Sequence, residues 1–254
     1  MRCLVVVVAC AACGRIDFAP IGDGAGTARR PCGATLTAPD PLTFSGDVFQ
    51  YTGFQNTRMP LVGATITALA ADASALASVT SDASGNYALS FATGGVARGI
   101  RLRATRGTYM TTTTYLDTVV DHDIAVFASA QWSFGEAPLW TPGSMGAVYN
   151  AAGTTIDFSK SSVNVITEDC TGTPLPGVAI TIDPPPALQF YVTMTGAPDF
   201  GGVTIEPYTS TFGCNETPGP VHITATAPGL EFAPVDITID AGNFTTMILM
   251  QPLM

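Results

Sequence analysis

Lysine is almost missing from this 254-residue sequence: Lys160 stands alone among ten basic residues, against twenty acidic ones. Charged residues of both signs make up only 12% of the chain, about half the usual share. The formal charge of −10 excludes a nucleic-acid partner, which needs clustered Lys and Arg. It also excludes long helices laced by Lys–Glu pairs. Histidine is as scarce, with only His122 and His222. No Cys-x-x-Cys or His-x-x-x-His spacing is present, so a zinc site has no ligand set. His122 sits in Asp121-His122-Asp123, which reads as a solvated turn. His222 alternates with Val221 and Ile223 and is expected to face water. No Gly-x-Ser-x-Gly elbow occurs; Gly143-Ser144-Met145-Gly146 has the wrong spacing and reads as a loop. A phosphate-cradling glycine loop is also lacking. Asp82 and Asn86 share a turn but supply too few oxygens for calcium. These absences leave no catalytic, cofactor or metal residue to assign, and the chain is read as non-enzymatic.

What is present begins with an address. Met1-Arg2 precedes Cys3-Leu4-Val5-Val6-Val7-Val8-Ala9-Cys10-Ala11-Ala12-Cys13-Gly14. One positive charge, a short apolar run and small residues form a signal-peptide pattern. The run is far below the ~18–20 residues of a membrane-spanning helix. Small residues before a cysteine resemble the lipobox of bacterial lipoproteins, which implies acylation of that cysteine. Cys10 fits the lipobox letters, whereas Cys13 gives the more ordinary signal length and is followed by Gly14, so Cys13 is preferred over Cys10. The resemblance implies membrane lipid as a partner through the acyl chains, each methylene adding about 0.8 kcal/mol of membrane affinity. Neither candidate cysteine is followed by Asp, so the outer membrane is the expected location.

The cysteines beyond the signal agree with an oxidising compartment. Cys170 and Cys214 fall in one expected domain and are the candidate disulfide, a closure worth about 2–4 kcal/mol.

Glycine and proline are plentiful, at 26 and 19 residues, which suits a turn-rich β protein. Residues 1–13 form the signal segment and 14–42 a flexible stem without apolar period. From residue 43 the pattern is strand-like. Ile100-Arg101-Leu102-Arg103-Ala104-Thr105 alternates strictly, which puts Ile100, Leu102 and Ala104 in a core and the arginines in water. Leu76 to Thr80 and Tyr87 to Phe91 flank the turn Ser81-Asp82-Ala83-Ser84-Gly85-Asn86 and read as a hairpin. Thr111-Thr112-Thr113-Thr114 reads as an exposed β face. The second half echoes the first: Thr173-Pro174-Leu175-Pro176-Gly177-Val178-Ala179-Ile180-Thr181 repeats the pattern of Arg58 to Thr67, and Val221 to Gly229 that of Ile100 to Gly107.

Pro60-Leu61-Val62-Gly63-Ala64-Thr65-Ile66, then Thr80-Ser81-Asp82 and Gly85-Asn86-Tyr87, then an Arg-Ala-Thr strand with Gly107 and Tyr109, resemble the carboxypeptidase regulatory-like domain. That resemblance implies the transthyretin-like, prealbumin-like seven-stranded sandwich. Residues 43–130 carry it well. Residues 159–254 carry it weakly, because Asp183-Pro184-Pro185-Pro186 and residues 201–211 replace the Asp-x-x-Gly turn. The expectation is all-β: two tandem seven-stranded sandwiches, 43–130 and 159–254, joined by an aromatic-rich connection at 131–158. The implied role is that of an accessory, spacer or binding module at the cell surface, with an envelope protein or a glycan as partner.

Two features point to more specific chemistry. Trp132 and Trp140 in the connection are candidate ligand contacts, since exposed aromatics stack on sugars or peptides; the competing reading is that they seal the interface between the sandwiches. This aromatic pair supports the second function considered, a carbohydrate- or peptide-binding accessory to a surface hydrolase. Lys160, Asn243 and Glu206 have the residue types of an isopeptide crosslink, although Lys160 lies in a polar run that reads as a solvated strand entry.

Overall fold

Alternating apolar and polar side chains define most of the strands. The computed structural model describes residues 38–51, 58–96, 98–119, 137–171, 173–193, 195–206, 209–250 and 252–253. Eight strands come first: β1 (Leu42–Tyr51), β2 (Arg58–Pro60), β3 (Thr65–Ala70), β4 (Ala75–Thr80), β5 (Asn86–Phe91), β6 (Arg98–Thr105), β7 (Thr112–Val119) and β8 (Ala137–Trp140). One helix follows, α1 (Pro142–Ala151). Then come β9 (Ser161–Thr167), β10 (Ala179–Asp183), β11 (Leu188–Val192), β12 (Pro198–Asp199), β13 (Ser210–Glu216), β14 (Gly219–Thr226), β15 (Val235–Ile239) and β16 (Phe244–Met250). Among the described residues the fold is thus all-β with one short helix, and the strand count differs from seven plus seven.

Three sheets hold these strands. One is four-stranded, in the order β2-β1-β5, with β8 pairing parallel to β1. A second has the order β10-β14-β15. The third has nine strands, β12-β11-β13-β9-β16-β7-β6-β3-β4, and runs through both halves of the chain. The halves repeat one pairing scheme. β3-β6-β7 and β10-β14-β15 are antiparallel triplets of the same order. β1 takes β5 antiparallel and β8 parallel; β9 takes β13 antiparallel and β16 parallel. The repeat is not a string of separate beads, however. β16 also pairs parallel with β7, matching Phe244 to Thr112 and Thr245 to Thr113. That pairing fuses a sheet of the first half to a sheet of the second.

The two main cores lie on opposite faces of the long sheet. Leu42, Val48, Leu89 and Leu139 pack against Ile66, Ile100 and Leu102 in the first. Val163 and Val165 pack against Ile180, Ile182, Val221, Ile223, Ile237 and Ile239 in the second. Burying each such side chain contributes roughly 1.5–3 kcal/mol. β7 serves both cores. Thr112 and Thr114 point to the first, while the neighbouring Tyr115 packs on the second and donates its hydroxyl hydrogen to the Thr238 carbonyl. The threonine run is therefore not an exposed face: Thr112, Thr113 and Thr114 are all buried. Thr112 keeps its hydroxyl satisfied by donating to the Pro138 carbonyl at 2.6 Å.

Two more expectations change in three dimensions. The segments around Ser81–Asn86 do not form a hairpin. β4 pairs with β3 and β5 with β1, so the turn is a corner between facing sheets. Gly143-Ser144-Met145-Gly146 is not a loop but the first turn of α1. Thr141 caps that helix, its Oγ1 accepting from the Ser144 N–H while the Ser144 Oγ accepts from the Thr141 N–H, and Pro142 pre-sets the first turn. By contrast, β6 behaves as its alternation demands, with Ile100, Leu102 and Ala104 buried and Arg101 and Arg103 on the other face. Residues 38–42, the end of the expected stem, are packed: Leu42 is fully buried, and Thr93 donates to the Pro39 carbonyl and to Asp40 Oδ1.

Candidate functional site

The residues that carry the family resemblance form a hydrogen-bonded knot. Ser81, on the corner after β4, is buried. Its Oγ donates to the Leu61 carbonyl at 2.6 Å and accepts from the Ala64 N–H at 3.0 Å. Its backbone takes the Gly63 N–H and gives its own N–H to Ala64 O. Gly85 closes the corner at φ +82°; a Cβ there would sit 2.6 Å from the Val48 carbonyl oxygen, so only glycine fits. Asp82 Oδ1 accepts the Ser84 and Asn86 N–H groups, so this carboxylate is engaged in the turn.

The second half contains the same knot, built from residues that its sequence does not advertise. Thr204 Oγ1 donates to Leu175 O and accepts from the Val178 N–H, both at 3.0 Å. Its backbone takes the Gly177 N–H and gives its N–H to Val178 O. Leu61-Val62-Gly63-Ala64 with Ser81 thus corresponds, bond for bond, to Leu175-Pro176-Gly177-Val178 with Thr204. Both glycines have positive φ, +70° and +78°.

A third core lies where the halves meet. It joins Phe49, Tyr51 and Met110 from the first half, Trp140, Met145, Val148 and Tyr149 from β8 and α1, and Phe190, Phe212 and Cys214 from the second. Tyr51 and Trp140 stack at 4.7 Å, and Phe190 and Phe212 at 5.4 Å. Tyr149 reaches across to the Ser162 hydroxyl and accepts from the Asn215 N–H at 3.2 Å. Burial pushes the Tyr149 phenol up to about 12.

These contacts place the candidate residues. Trp140 is 4% exposed, so its ring offers no face to a sugar or peptide; it fills the junction instead. Trp132 lies outside the described residues, as do Cys10, Cys13, Cys32 and Asp121-His122-Asp123. The Cys170–Cys214 bridge is not made. Cys214 is a free, buried thiol in the junction core, and burial pushes it up to about 12. Cys170 is disulfide-bonded, but not to Cys214. His222 does reach solvent, with Nδ1 2.7 Å from Asp236 Oδ1 on the neighbouring strand. Lys160 points its Nζ to Thr217 Oγ1 at 3.1 Å, while the Asn243 amide turns to Asp240 and Glu206 is exposed. Asn243 is in step with Ser161, not with Lys160, so the crosslink constellation is not assembled.

Sequence reading missed two buried carboxyls. Burial raises Glu168 to about 7, helped by the adjacent Asp169 charge. Burial also raises Glu216 to about 7, against the lowering effects of the Thr217 backbone and Lys160. They sit at opposite ends of β9, Glu216 level with Ser161 and Glu168 just past Thr167, so they do not act as a pair. Among the described residues no cluster of three or more His, Cys, Asp or Glu is arranged to hold a metal ion. The interior gap between Ile66, Tyr87, Leu102, Thr112 and Ala137 has no room for a water molecule.

No protein-family model matches the sequence, and no curated protein matches it. Among solved structures, the chain is similar to the shaft pilin SpaA of Lactobacillus rhamnosus GG, at 12% identity over 84% of this chain and 98% of the pilin, with a TM-score of 0.27. It is similar to the Streptococcal ancillary pilin at 14% identity, over 83% of this chain and 62% of that one, with a TM-score of 0.25. The T-13 major pilin of Streptococcus pyogenes matches at 9% identity, over 86% of this chain and 98% of that one, with a TM-score of 0.23. These scores are too low to assign a shared fold or to carry any residue's role across.

Proposed function

We propose that the chain is a non-enzymatic protein of the bacterial cell envelope, anchored in the outer membrane through an acylated Cys13 (or Cys10). Its two transthyretin-like sandwiches, fused through β16, serve a structural or protein-interaction role at the surface. The single observation that carries this reading is how the chemistry-bearing side chains are used. Trp140, Tyr149, Cys214, Ser81 and Thr204 are all committed to packing or backbone bonds. The glycan- or peptide-binding reading loses Trp140 and rests on Trp132 alone. Contact with an envelope protein or glycan is assigned to the outer surface of the sandwiches.

The test is the intact mass and membrane partitioning of the native chain beside Cys13→Ala and Cys10→Ala. An acylated mass starting at one of these cysteines, lost in the matching variant together with membrane retention, is the expected result. A cleaved, unmodified chain in the soluble fraction would refute the anchor.

A further inference from the structure

Cys170 is disulfide-bonded, and its partner is not Cys214, which is a free and buried thiol. The register explains why these two stay apart. Gly213 is level with Val163 near the start of β9, whereas Cys170 lies beyond the other end of that strand, past Thr167. The sequence holds six cysteines, so the partner is one of Cys3, Cys10, Cys13 and Cys32. All four precede Ala38, where the described chain begins. A covalent tie therefore joins the N-terminal segment to the second half.

The topology shows where that segment enters. The Ala38 N–H donates to the Gly95 carbonyl, just before β6 begins at Arg98. Arg98 is level with Val119 at the end of β7. β7 and β9 both run parallel to β16, so the end of β7 lies at the same end of the long sheet as Thr167, which is level with Met250. Ala38 and Cys170 thus share one end of that sheet. β6 and β9 are three strand spacings apart in it, roughly 14 Å at about 4.8 Å each. A facing sheet stacks about 10 Å away, so the crossing from Ala38 to Cys170 takes roughly 15–20 Å. The six residues from Cys32 to Ala38 reach about 20 Å when extended, and a disulfide adds about 5 Å between its Cα atoms. The other three cysteines are on longer tethers. Closure weakens roughly as the −3/2 power of length, and Cys13 stands 25 residues from Ala38, so Cys32 is favoured about eightfold over Cys13 and by more over Cys10 and Cys3.

We propose that Cys32 and Cys170 form a disulfide that staples the segment before β1 to the end of β9. Its formation is a two-electron oxidation. Both thiols lose a proton, one S–S bond forms, and a disulfide oxidant of the compartment takes up the two electrons and two protons and leaves as a dithiol. Half-buried Cys170 is open to such an oxidant, and fully buried Cys214 is not. The staple sets where the free tether ends: a pull on the N-terminus divides at Cys32 and loads both halves at once. The choice of Cys32 rests on reach, not on acylation of Cys13 or Cys10.

The experiment is disulfide mapping of the full chain, purified without reductant, with free thiols blocked by iodoacetamide before cleavage by trypsin. Residues 30–58 then hold Cys32, residues 3–15 hold Cys3, Cys10 and Cys13, and residues 161–254 hold Cys170 and Cys214. The expected product is 30–58 joined to 161–254. It separates on reduction, is lost in Cys32→Ser and in Cys170→Ser, and is retained in Cys214→Ser. It is also retained in Cys13→Ala, so a failed anchor and a failed bridge are read separately. Either Cys32→Ser or Cys170→Ser lowers the melting midpoint by about 5–15 °C, and the double variant falls no further. A link from 3–15 to 161–254, a Cys170 still alkylated after treatment with oxidised glutathione, or additive losses in the double variant overturns the proposal.

Discussion

If the two knots are equivalent, removing the hydroxyl of Ser81 or of Thr204 should damage the fold in the same way, by amounts that follow from the bonds. Ser81→Ala leaves the Leu61 carbonyl and the Ala64 N–H without their buried partner. Each orphaned group costs about 1–3 kcal/mol, so a loss of about 2–6 kcal/mol is expected. Thr204→Val orphans the Val178 N–H in the same way. The Leu175 carbonyl, however, still accepts from Thr167 Oγ1 at 2.7 Å. The expected loss is therefore smaller, about 1–3 kcal/mol. Thr204→Ser keeps the hydroxyl and removes one methyl, worth about 0.8 kcal/mol. Urea unfolding of the wild type and three variants, read at constant m-value, measures all three numbers. The reasoning fails if Thr204→Val costs no more than Thr204→Ser, since the hydroxyl would then not be holding the turn. It also fails if Ser81→Ala is neutral.

Three other outcomes are expected. Gly85→Ala meets the Val48 carbonyl and a left-handed backbone at once, whereas Gly63→Ala at φ +70° meets only the backbone strain; the first should cost about 2–4 kcal/mol and the second about 1 kcal/mol, and equal losses would discount the close approach. Glu168 and Glu216 have folded-state values near 7, above their ordinary 4.5, so the native state holds these protons more tightly than the unfolded chain. Their stabilising effect is complete below about pH 4.5 and disappears as pH rises through about 7, by about 1–3 kcal/mol per carboxyl; thermal melts should fall across that window and flatten in the Glu168→Gln/Glu216→Gln double variant, and a slope unchanged by the double substitution would remove the assignment. Cys214 should resist alkylation at pH 8 in the folded chain and react once in urea without reduction, as mass spectrometry will show, while Cys170 should need a reductant first.

The sequence was most readable where one face of a strand is buried and the other is wet. Ile100 to Thr105 comes close to that condition: its alternation placed Ile100, Leu102 and Ala104 in the core, while Arg101 and Arg103, expected in water, are half-buried on the other face, Arg101 bonding the Ala70 and Ala71 carbonyls. Thr112 to Thr114 does not meet it. Both faces of β7 are covered, one by the first half and one by residues more than a hundred positions later, and threonine is equally at home in either setting. The corner at Ser81–Asn86 looked like a hairpin because turn chemistry reports the reversal but not which sheet each arm joins. Thr204 was silent for another reason: a single hydroxyl that closes a knot from 26 residues beyond the Val178 N–H leaves no periodic trace. Cysteine pairing depends on distance, which spacing does not encode, and Cys214 proved to be a core residue. Trp140 followed the sealing role rather than the ligand role, because β8 carries it into the seam beside Tyr51.

The seam also explains why a duplicated pattern did not yield two independent beads. In the first half, the strand parallel to β1 is the short β8, which leads straight into α1. In the second half the equivalent strand is β16, seven residues long, and both of its edges can be used. One edge completes the sheet with β9; the other accepts β7, whose free edge would otherwise expose a row of unpaired backbone groups. Once β7 is paired there, Tyr115 must lie over the second core, and Phe49, Tyr51 and Met110 must meet Phe190 and Phe212 around α1. Each contact fixes the angle between the halves from a different side. A chain built this way holds its two sets of loops at a set spacing, which is the mechanical property a surface support or presentation module requires and a hinged pair of beads lacks.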